Sequence, residues 1–477
     1  MLVLIAGVPR ILSAFLLPNT FGDAYVYIRD IGTMSVKLKA GTFAITDFYG
    51  FWLPLYQFLA ALLNIFVGNG FYSGKIVSAL FGIGVCLFVY AITEQLTRHR
   101  PAALLAFLLI ALSPLHILTS SSALTDVPHA FFVLGGLHFV LKRNWFVAAI
   151  FGALAGLTRV ESWMFIALIP FIQFIWERRV SIPALVIMFL PPLLWFYVSW
   201  KAAGDWLACF KVRQEYHDWL LLQNPALASF SFYGLLKDGA IFINSIDIAV
   251  LAAAFVAGSM VIRRLISRDR TKDFQPILAP VVFFFAFFAL LVVAYLTHQQ
   301  PIMFPRYGLI LFSIGIPVLA WAYLEFAHQK GWSARKLLTS IVVVCLLGTS
   351  VQLAGAVGVL NQISAQRAAA DYLRDYFDLK SEARVFSDEG TVTVMSGIPA
   401  ERFVTSADAP KDRDAFLAFL KAQRVEWLVV VENQNSTISR ELPESDSGGM
   451  IEGYGRTSAS HSRFLPTSIW VYRAHKK

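Results

Sequence analysis

The residues best able to do chemistry in this chain are acids and guanidinium groups set between long apolar runs. Asp23 lies in Phe21-Gly22-Asp23-Ala24-Tyr25-Val26-Tyr27, just after the first such run, with Asp30 and Asp47 further on. Asp126 sits in Thr125-Asp126-Val127-Pro128-His129, Arg159 and Glu161 share one short turn, and His298, Arg306 and Tyr307 share a short loop. A carboxylate of this set can take the proton of an acceptor hydroxyl as general base. Cations can bind a phosphate leaving group and its developing charge. Those are the types needed to join a lipid-phosphate sugar to an acceptor, with Tyr25, Trp52 and Tyr56 as rings for a sugar to stack on. Each residue also has a plain role. Asp126 makes a good helix start ahead of Pro128, Arg159 pairs with Glu161 or snorkels to the interface, and Asp23 is a loop acid after Gly22. His129 and His298 read better as polar core or interfacial residues than as ligands.

The elements that must hold these groups are membrane spans. Of 477 residues, 57% are hydrophobic and 15% charged, and mean hydropathy is +0.62. Soluble globular proteins carry roughly 25% charged residues, so the deficit points to lipid as solvent. Runs of about 20 apolar residues suit spanning helices, and about eleven are expected, near 2–18, 72–93, 102–119, 127–141, 145–158, 161–176, 182–199, 241–262, 277–296, 307–326 and 337–357. The apolar stretch at 51–67 opens with Trp52-Leu53-Pro54 and reads as a helix at the membrane surface, within a first outer loop of 18–75. The net charge of +9 resides mostly in short loops. No basic patch interleaved with aromatics accompanies it, so no nucleic-acid partner is expected. Cys86, Cys209 and Cys345 are far apart and show neither metal spacing nor a disulfide framework.

Alternate loops differ sharply in charge. One set, with Arg98/Arg100, Lys142/Arg143, Arg178/Arg179, Arg263/Arg264/Arg268/Arg270/Lys272 and Lys330/Arg335/Lys336, holds about 14 positive residues in about 40 positions; the other has about 10 in about 120. The rich set is then cytoplasmic, with the N-terminus inside a cytoplasmic membrane and everything after Leu360 outside. Asp23, Asp30, Asp47, Asp126, Arg159, Glu161 and Arg306 then fall on the outer face. The domains expected are 1–362, in the membrane, and 363–477, a small soluble α/β domain. In the latter, Arg384–Ser387, Val392–Met395, Trp427–Val431 and Ile469–Tyr472 read as strands around a helix at Asp412–Arg424. Glu444–Gly449 reads as a loop, and Asn435-Ser436-Thr437 fits a glycosylation acceptor.

Several stretches resemble the GT-C glycosyltransferases, above all protein O-mannosyltransferases and the aminoarabinose transferases of lipid A. Arg10-Ile11-Leu12 with Phe21-Gly22-Asp23-Ala24-Tyr25-Val26-Tyr27 is similar to their first helix and first outer loop. Phe51-Trp52-Leu53-Pro54-Leu55-Tyr56 looks like their His-Pro-Pro-Leu-Tyr segment. Gly68-Asn69-Gly70-Phe71-Tyr72-Ser73-Gly74-Lys75 resembles the start of their second span, with Lys75 where Arg is usual. Gly156-Leu157-Thr158-Arg159 and Pro305-Arg306-Tyr307 also have counterparts. The resemblance covers most of 1–330 in layout, on short motifs. It implies a GT-C-like fold and an inverting transfer of sugar from a polyprenyl-phosphate donor to a protein, lipid or glycan acceptor. Asp23 would be the catalytic base, with Arg159, Arg306, Asp126, Tyr27, Lys75 and Tyr307 binding substrate. The usual Asp-Glu pair is Asp23-Ala24 here. Some enzymes of this type use a divalent metal and others do not; with the second acid gone, none is expected.

Two readings from other classes stay open at this level. A transporter or flippase of lipid-linked or small polar substrates would show internal repeats and interrupted helices near the midplane. No convincing repeat is visible, and the polar residues gather at one mouth. A non-catalytic scaffold presenting its C-terminal domain is the third.

Overall fold

The computed structural model describes the chain apart from residue 20, 224–231, 267–274, 300–303, most of 334–362 and short stretches of the C-terminal region (406–408, 411, 432–437, 439–440, 462–467, 476–477). The chain divides into two compact units. The larger comprises Met1–Leu17 and Ile31–Ala356; the smaller comprises Pro18–Asp30 and Val357–Lys477. The short segment carrying Asp23 and Tyr27 is therefore part of the C-terminal unit.

The larger unit is helical. Its helices include α1 (Leu2–Leu16), α3 (Leu55–Val67), α4 (Gly70–Thr97), α5 (Arg100–Ala111), α6 (Pro114–Ser120), α7 (Asp126–Leu141), α8 (Trp145–Gly156), α9 (Phe165–Glu177) and α10 (Ile182–Ala203). After these come α11 (Ala208–Gln223), α12 (Phe232–Ile246), α13 (Ile248–Ile266), α14 (Gln275–Leu296) and α15 (Leu309–Gln329). Between α1 and α3 runs α2 (Asp23–Ala40), a helix that begins in the smaller unit's segment. Five helical stretches are long and apolar enough to cross a membrane alone, or up to seven if each bent pair is one span, and four shorter apolar helices accompany them. Ten of the eleven expected spans coincide with such helices; the eleventh, 337–357, lies largely outside the described residues. The chain is a multi-pass membrane protein.

Two expected spans need correction. The stretch 102–119 is α5 and α6, bent by 61° at Leu112–Ser113, and 241–262 is parts of α12 and α13, bent by 81° at Asp247. The stretch 51–67 forms a helix only from Leu55. Its 13 residues reach about 20 Å, short of the roughly 30 Å hydrocarbon core. On α3, buried Asn64 donates to Ser35 Oγ of α2 at 2.7 Å and accepts from Ser73 Oγ of α4 at 3.1 Å, joining three helices by one amide. Close packing follows from small residues. A Cβ on Gly84 of α4 would sit 2.4 Å from the Phe131 ring of α7, so only glycine admits that approach.

The bend between α5 and α6 shows how the fold handles polarity inside lipid. Pro114 has no N–H to give the carbonyl of Ile110, and no water reaches a broken helix in the bilayer. Arg10 of α1 fills the gap. Fully buried, it donates to Ile110 O and Ala111 O, both at 3.1 Å, and to Ala6 O at 2.7 Å, with His116 Nδ1 2.6 Å away. Ser113 caps α6 by accepting from His116 N.

In the smaller unit a five-stranded sheet has the order β2-β1-β3-β5-β4, from β1 (Arg384–Ser387), β2 (Phe403–Val404), β3 (Val425–Val431), β4 (Tyr454–His461) and β5 (Ser468–Ala474). β1 runs parallel to β2 and β3, while β5 is antiparallel to β3 and β4. From Trp427 to Val431, β3 reads as an apolar run because both its faces are covered. Trp427, Val429 and Val431 pack with Ala369 and Leu373 of the helix Ser364–Tyr376; Leu428 and Val430 pack with Phe416 and Leu420 of the helix Arg413–Ala422. The expected strand at Val392–Met395 is a correction. It lies in a short helix, Gly390–Met395, because Glu389 caps it by accepting from Thr391 N at 3.1 Å. Pro443–Ser447, overlapping the expected loop Glu444–Gly449, is one 3₁₀ turn. The acceptor triplet at Asn435 lies outside the described residues.

Because Arg10 satisfies carbonyls that nothing else described reaches, Arg10→Met should cost on the order of 2–5 kcal/mol. The expected result is a lower unfolding temperature in detergent and loss of the monodisperse peak on size exclusion, with Arg10→Lys intermediate.

Candidate active site

Within the membrane unit, three separated segments bring acids and arginines together. α7 starts at Asp126, with Pro128 in its first turn, where the missing proline N–H has no helical partner to lose. Arg159 sits between α8 and the 3₁₀ turn Val160–Met164 in extended backbone, which turns its side chain back across that turn's first residues. Arg306 and Tyr307 lie in the 3₁₀ turn Pro305–Gly308 that opens α15.

The contacts form a charged quartet. Arg159 donates to Asp126 Oδ1 at 3.0 Å and, through Nη2 and Nε, to Glu161 Oε1 at 2.8 and 3.2 Å. Arg306 Nη1 is 3.9 Å from Asp126 Oδ2, and both side chains are 6% exposed. Asp126 thus stands between two guanidinium groups, and two acids against two arginines bring the quartet to zero net charge. Tyr307 offers its ring to both cations, 5.9 Å from Arg159 and 5.3 Å from Arg306. His129, one turn along α7, is 2.6 Å from Ser162 Oγ. Phe287, Leu291 and Ile310 form an apolar wall, and the space enclosed is about 20 Å³, room for about one water. Low local dielectric strengthens every charge contact here.

Of the residues singled out from sequence, Asp126, Arg159, Arg306 and Tyr307 meet in this cavity. Lys75 does not line it. It is buried in α4, where its ammonium donates to Leu17 O at the C-terminal end of α1 and lies 4.7 Å from the Phe71 ring centre. A cation at a helix C-terminus complements the carbonyls left there. Asp23 and Tyr27 belong to the smaller unit, in the first turns of α2, Asp23 where the helix N-terminus favours a negative charge. In that unit Tyr25 donates to Asn19 O, and a Cβ on Gly22 would come 3.4 Å from Thr391 Oγ1. Ser162, Phe287, Leu291 and Ile310 escape sequence reasoning, since nothing marks them among so many apolar and small residues. The acids of the quartet are engaged by arginines, and among the described residues no three His, Cys, Asp or Glu side chains gather as a metal site would need.

Comparison with known proteins fits this architecture. Residues 54–176 match the family of dolichyl-phosphate-mannose-protein mannosyltransferases. That segment holds Asp126, Arg159 and Glu161. No curated protein sequence matches the chain significantly. Two crystal structures of ArnT from Cupriavidus metallidurans are similar in fold, one bound to undecaprenyl phosphate and one in the apo state. Their TM-scores are 0.58 and 0.54, each at 13% identity, and each comparison covers 98% of this chain and 97% of ArnT. The chain is thus a multi-pass membrane protein with a fold similar to that of ArnT.

Proposed function

We propose that this chain is a membrane glycosyltransferase that moves a sugar from a polyprenyl-phosphate donor to an acceptor on the outer face of a cytoplasmic membrane. The observation that carries the proposal is the convergence of Arg159 and Arg306 on Asp126. It occurs in a chain with the fold of a protein crystallised with undecaprenyl phosphate. A phosphodiester donor carries one negative charge and leaves as a phosphate with up to two, so a pair of arginines matches the charge that grows during transfer.

In this reading the acceptor hydroxyl attacks the anomeric carbon, the bond from that carbon to the phosphate oxygen breaks, and polyprenyl phosphate departs. The stereochemistry inverts in the single displacement, and Asp23 takes the hydroxyl proton. Arg159 and Arg306 hold the phosphate, Asp126 aims both guanidinium groups, and Tyr307 borders them. The water-sized cavity means that the phosphate meets the arginines at the cavity mouth, with Glu161 or Asp126 giving up one contact to it. The N-terminus lies inside and the C-terminal domain, 363–477, outside. The charge asymmetry of the loops supports that orientation.

Arg159→Lys keeps the charge but cannot hold two carboxylates in a fork, and should lower kcat/KM by one to two orders of magnitude. Asp126→Asn should reduce it at least tenfold, because it removes the anion between buried Arg306 and partly buried Arg159. Both are read by donor consumption in lipid nanodiscs, with unchanged elution on size exclusion as the folding control.

The decisive assay supplies purified protein with a mixture of polyprenyl-phosphate sugars and envelope extract, followed by mass spectrometry. Wild type should consume one donor and release polyprenyl phosphate, and Asp23→Asn should not. Equal consumption by both would remove Asp23 as base, and no consumption by folded wild type would sink the transferase reading.

A further inference from the structure

α12 has the shape and surface of a helix that lies along the bilayer instead of crossing it. Its 15 residues span about 22 Å, and the 81° bend at Asp247 leaves it almost perpendicular to α13. α13 alone, with 19 residues, covers about 28 Å, close to the roughly 30 Å core. α12 therefore adds almost nothing to the height of the span. Its exposed side shows Phe232, Tyr233, Leu235, Leu236 and Ile243, and Phe232, Leu236 and Ile243 share one helical stripe. The opposite side is fixed to protein. Phe242, Ser245 and Ile246 are buried, and Tyr295 of α14 donates to Asp238 at 2.8 Å.

The last turn of α12 bears on the turn that carries Arg306. Ser245 bends its hydroxyl to Phe242 O, and a Cβ placed on Gly308 would fall 1.9 Å from Ser245 Oγ and 3.0 Å from the Ser245 backbone carbon. Gly308 has an ordinary helical φ of −73°, so the glycine answers to space and not to backbone strain. This contact leaves the Pro305–Gly308 turn one position against α12, and Arg306 is two residues from the point of contact.

We propose that α12 is a membrane-interface helix, seated in the headgroup and upper acyl region of the lipid, and that the Ser245–Gly308 contact makes it the positioning element for Arg306. The lipid surface holds α12, and α12 holds the arginine that meets the donor phosphate. The second half rests on the phosphate role given to Arg306 above; the first half does not.

Two measurements on the full-length protein in nanodiscs test the proposal. With native cysteines replaced by alanine, bimane is attached at Phe232→Cys or at Ile243→Cys and quenched by phosphatidylcholines brominated at shallow or deep chain positions. The two sites lie eleven residues apart, so a helix along the membrane normal would separate them by about 16 Å. An interface helix gives both the same profile, with shallow bromines quenching more. Profiles that differ in depth, or deep quenching at either site, overturn the placement.

The second measurement is binding of undecaprenyl phosphate by intrinsic fluorescence. Gly308→Ala should weaken binding about tenfold, and adding Ser245→Gly, which removes the side-chain atoms at 1.9 and 2.8 Å and leaves only the tight backbone contact, should restore it to within about threefold. If Gly308→Ala does not fold, Tyr295→Phe loosens α12 instead and should weaken binding severalfold. Unchanged affinity in the folded variants, or failure of Ser245→Gly to rescue, overturns the coupling. Absence of binding by wild type would instead refute the phosphate role on which the coupling rests, while the depth profiles still decide where α12 lies.

Discussion

The two sharp bends described in this membrane unit answer one constraint: a backbone carbonyl or amide released by a helix break away from water must find its partner within the protein. The two sharp bends meet it in different ways. At the first, a proline deprives α5 of its last donor, and the guanidinium of Arg10 supplies N–H groups from another helix. At the second, Asp247 takes a left-handed φ of 72° and its own carboxylate accepts from Ala249 N at 2.8 Å, so the first turn of α13 is capped from within. A charge buried in the first helix and an acid at the head of α13 would both look like functional residues to a reader of sequence. Each has a backbone to satisfy.

The same economy of charge shapes the candidate site. Asp126, Glu161, Arg159 and Arg306 are too deeply placed to stand alone, since removing one partner of such a pair leaves an uncompensated charge. As a group they compensate one another. Under the proposed transfer, an incoming phosphate would find two guanidinium groups already held at fixed positions by carboxylates, so little reorganisation of the arginines would be required, at the cost of weakening contacts that exist before it arrives.

Much of this was legible in the amino-acid sequence, for a physical reason. In a chain so apolar, Asp126, Arg159, Arg306 and Tyr307 stand out because lipid makes each polar residue expensive, and the fold brings them to one place. Span positions were readable from run length, but bends were not: the hydropathy of 241–262 is continuous through Asp247, and only geometry divides it. Polar secondary structure was also hard to see. α2 carries Arg29, Asp30, Lys37 and Lys39 and has no apolar run, and β4 is an edge strand of Tyr454-Gly455-Arg456-Thr457-Ser458-Ala459-Ser460-His461, recognisable only beside β5. Conversely, the β-branched run at 392–395 promised a strand until Glu389 capped it into a helix. Phe287 and Leu291 could not be told from their many neighbours, because a wall residue differs from a lipid-facing one only in what it faces.

The zero sum of the quartet has a bearing on how a charged lipid would arrive. Opposed charges within a few ångströms cancel at a distance, so the cluster sends out little field to draw an anion from bulk solution or along the membrane surface. Encounter is then left to two-dimensional diffusion within the leaflet and to recognition at contact, and its rate should be nearly indifferent to ionic strength.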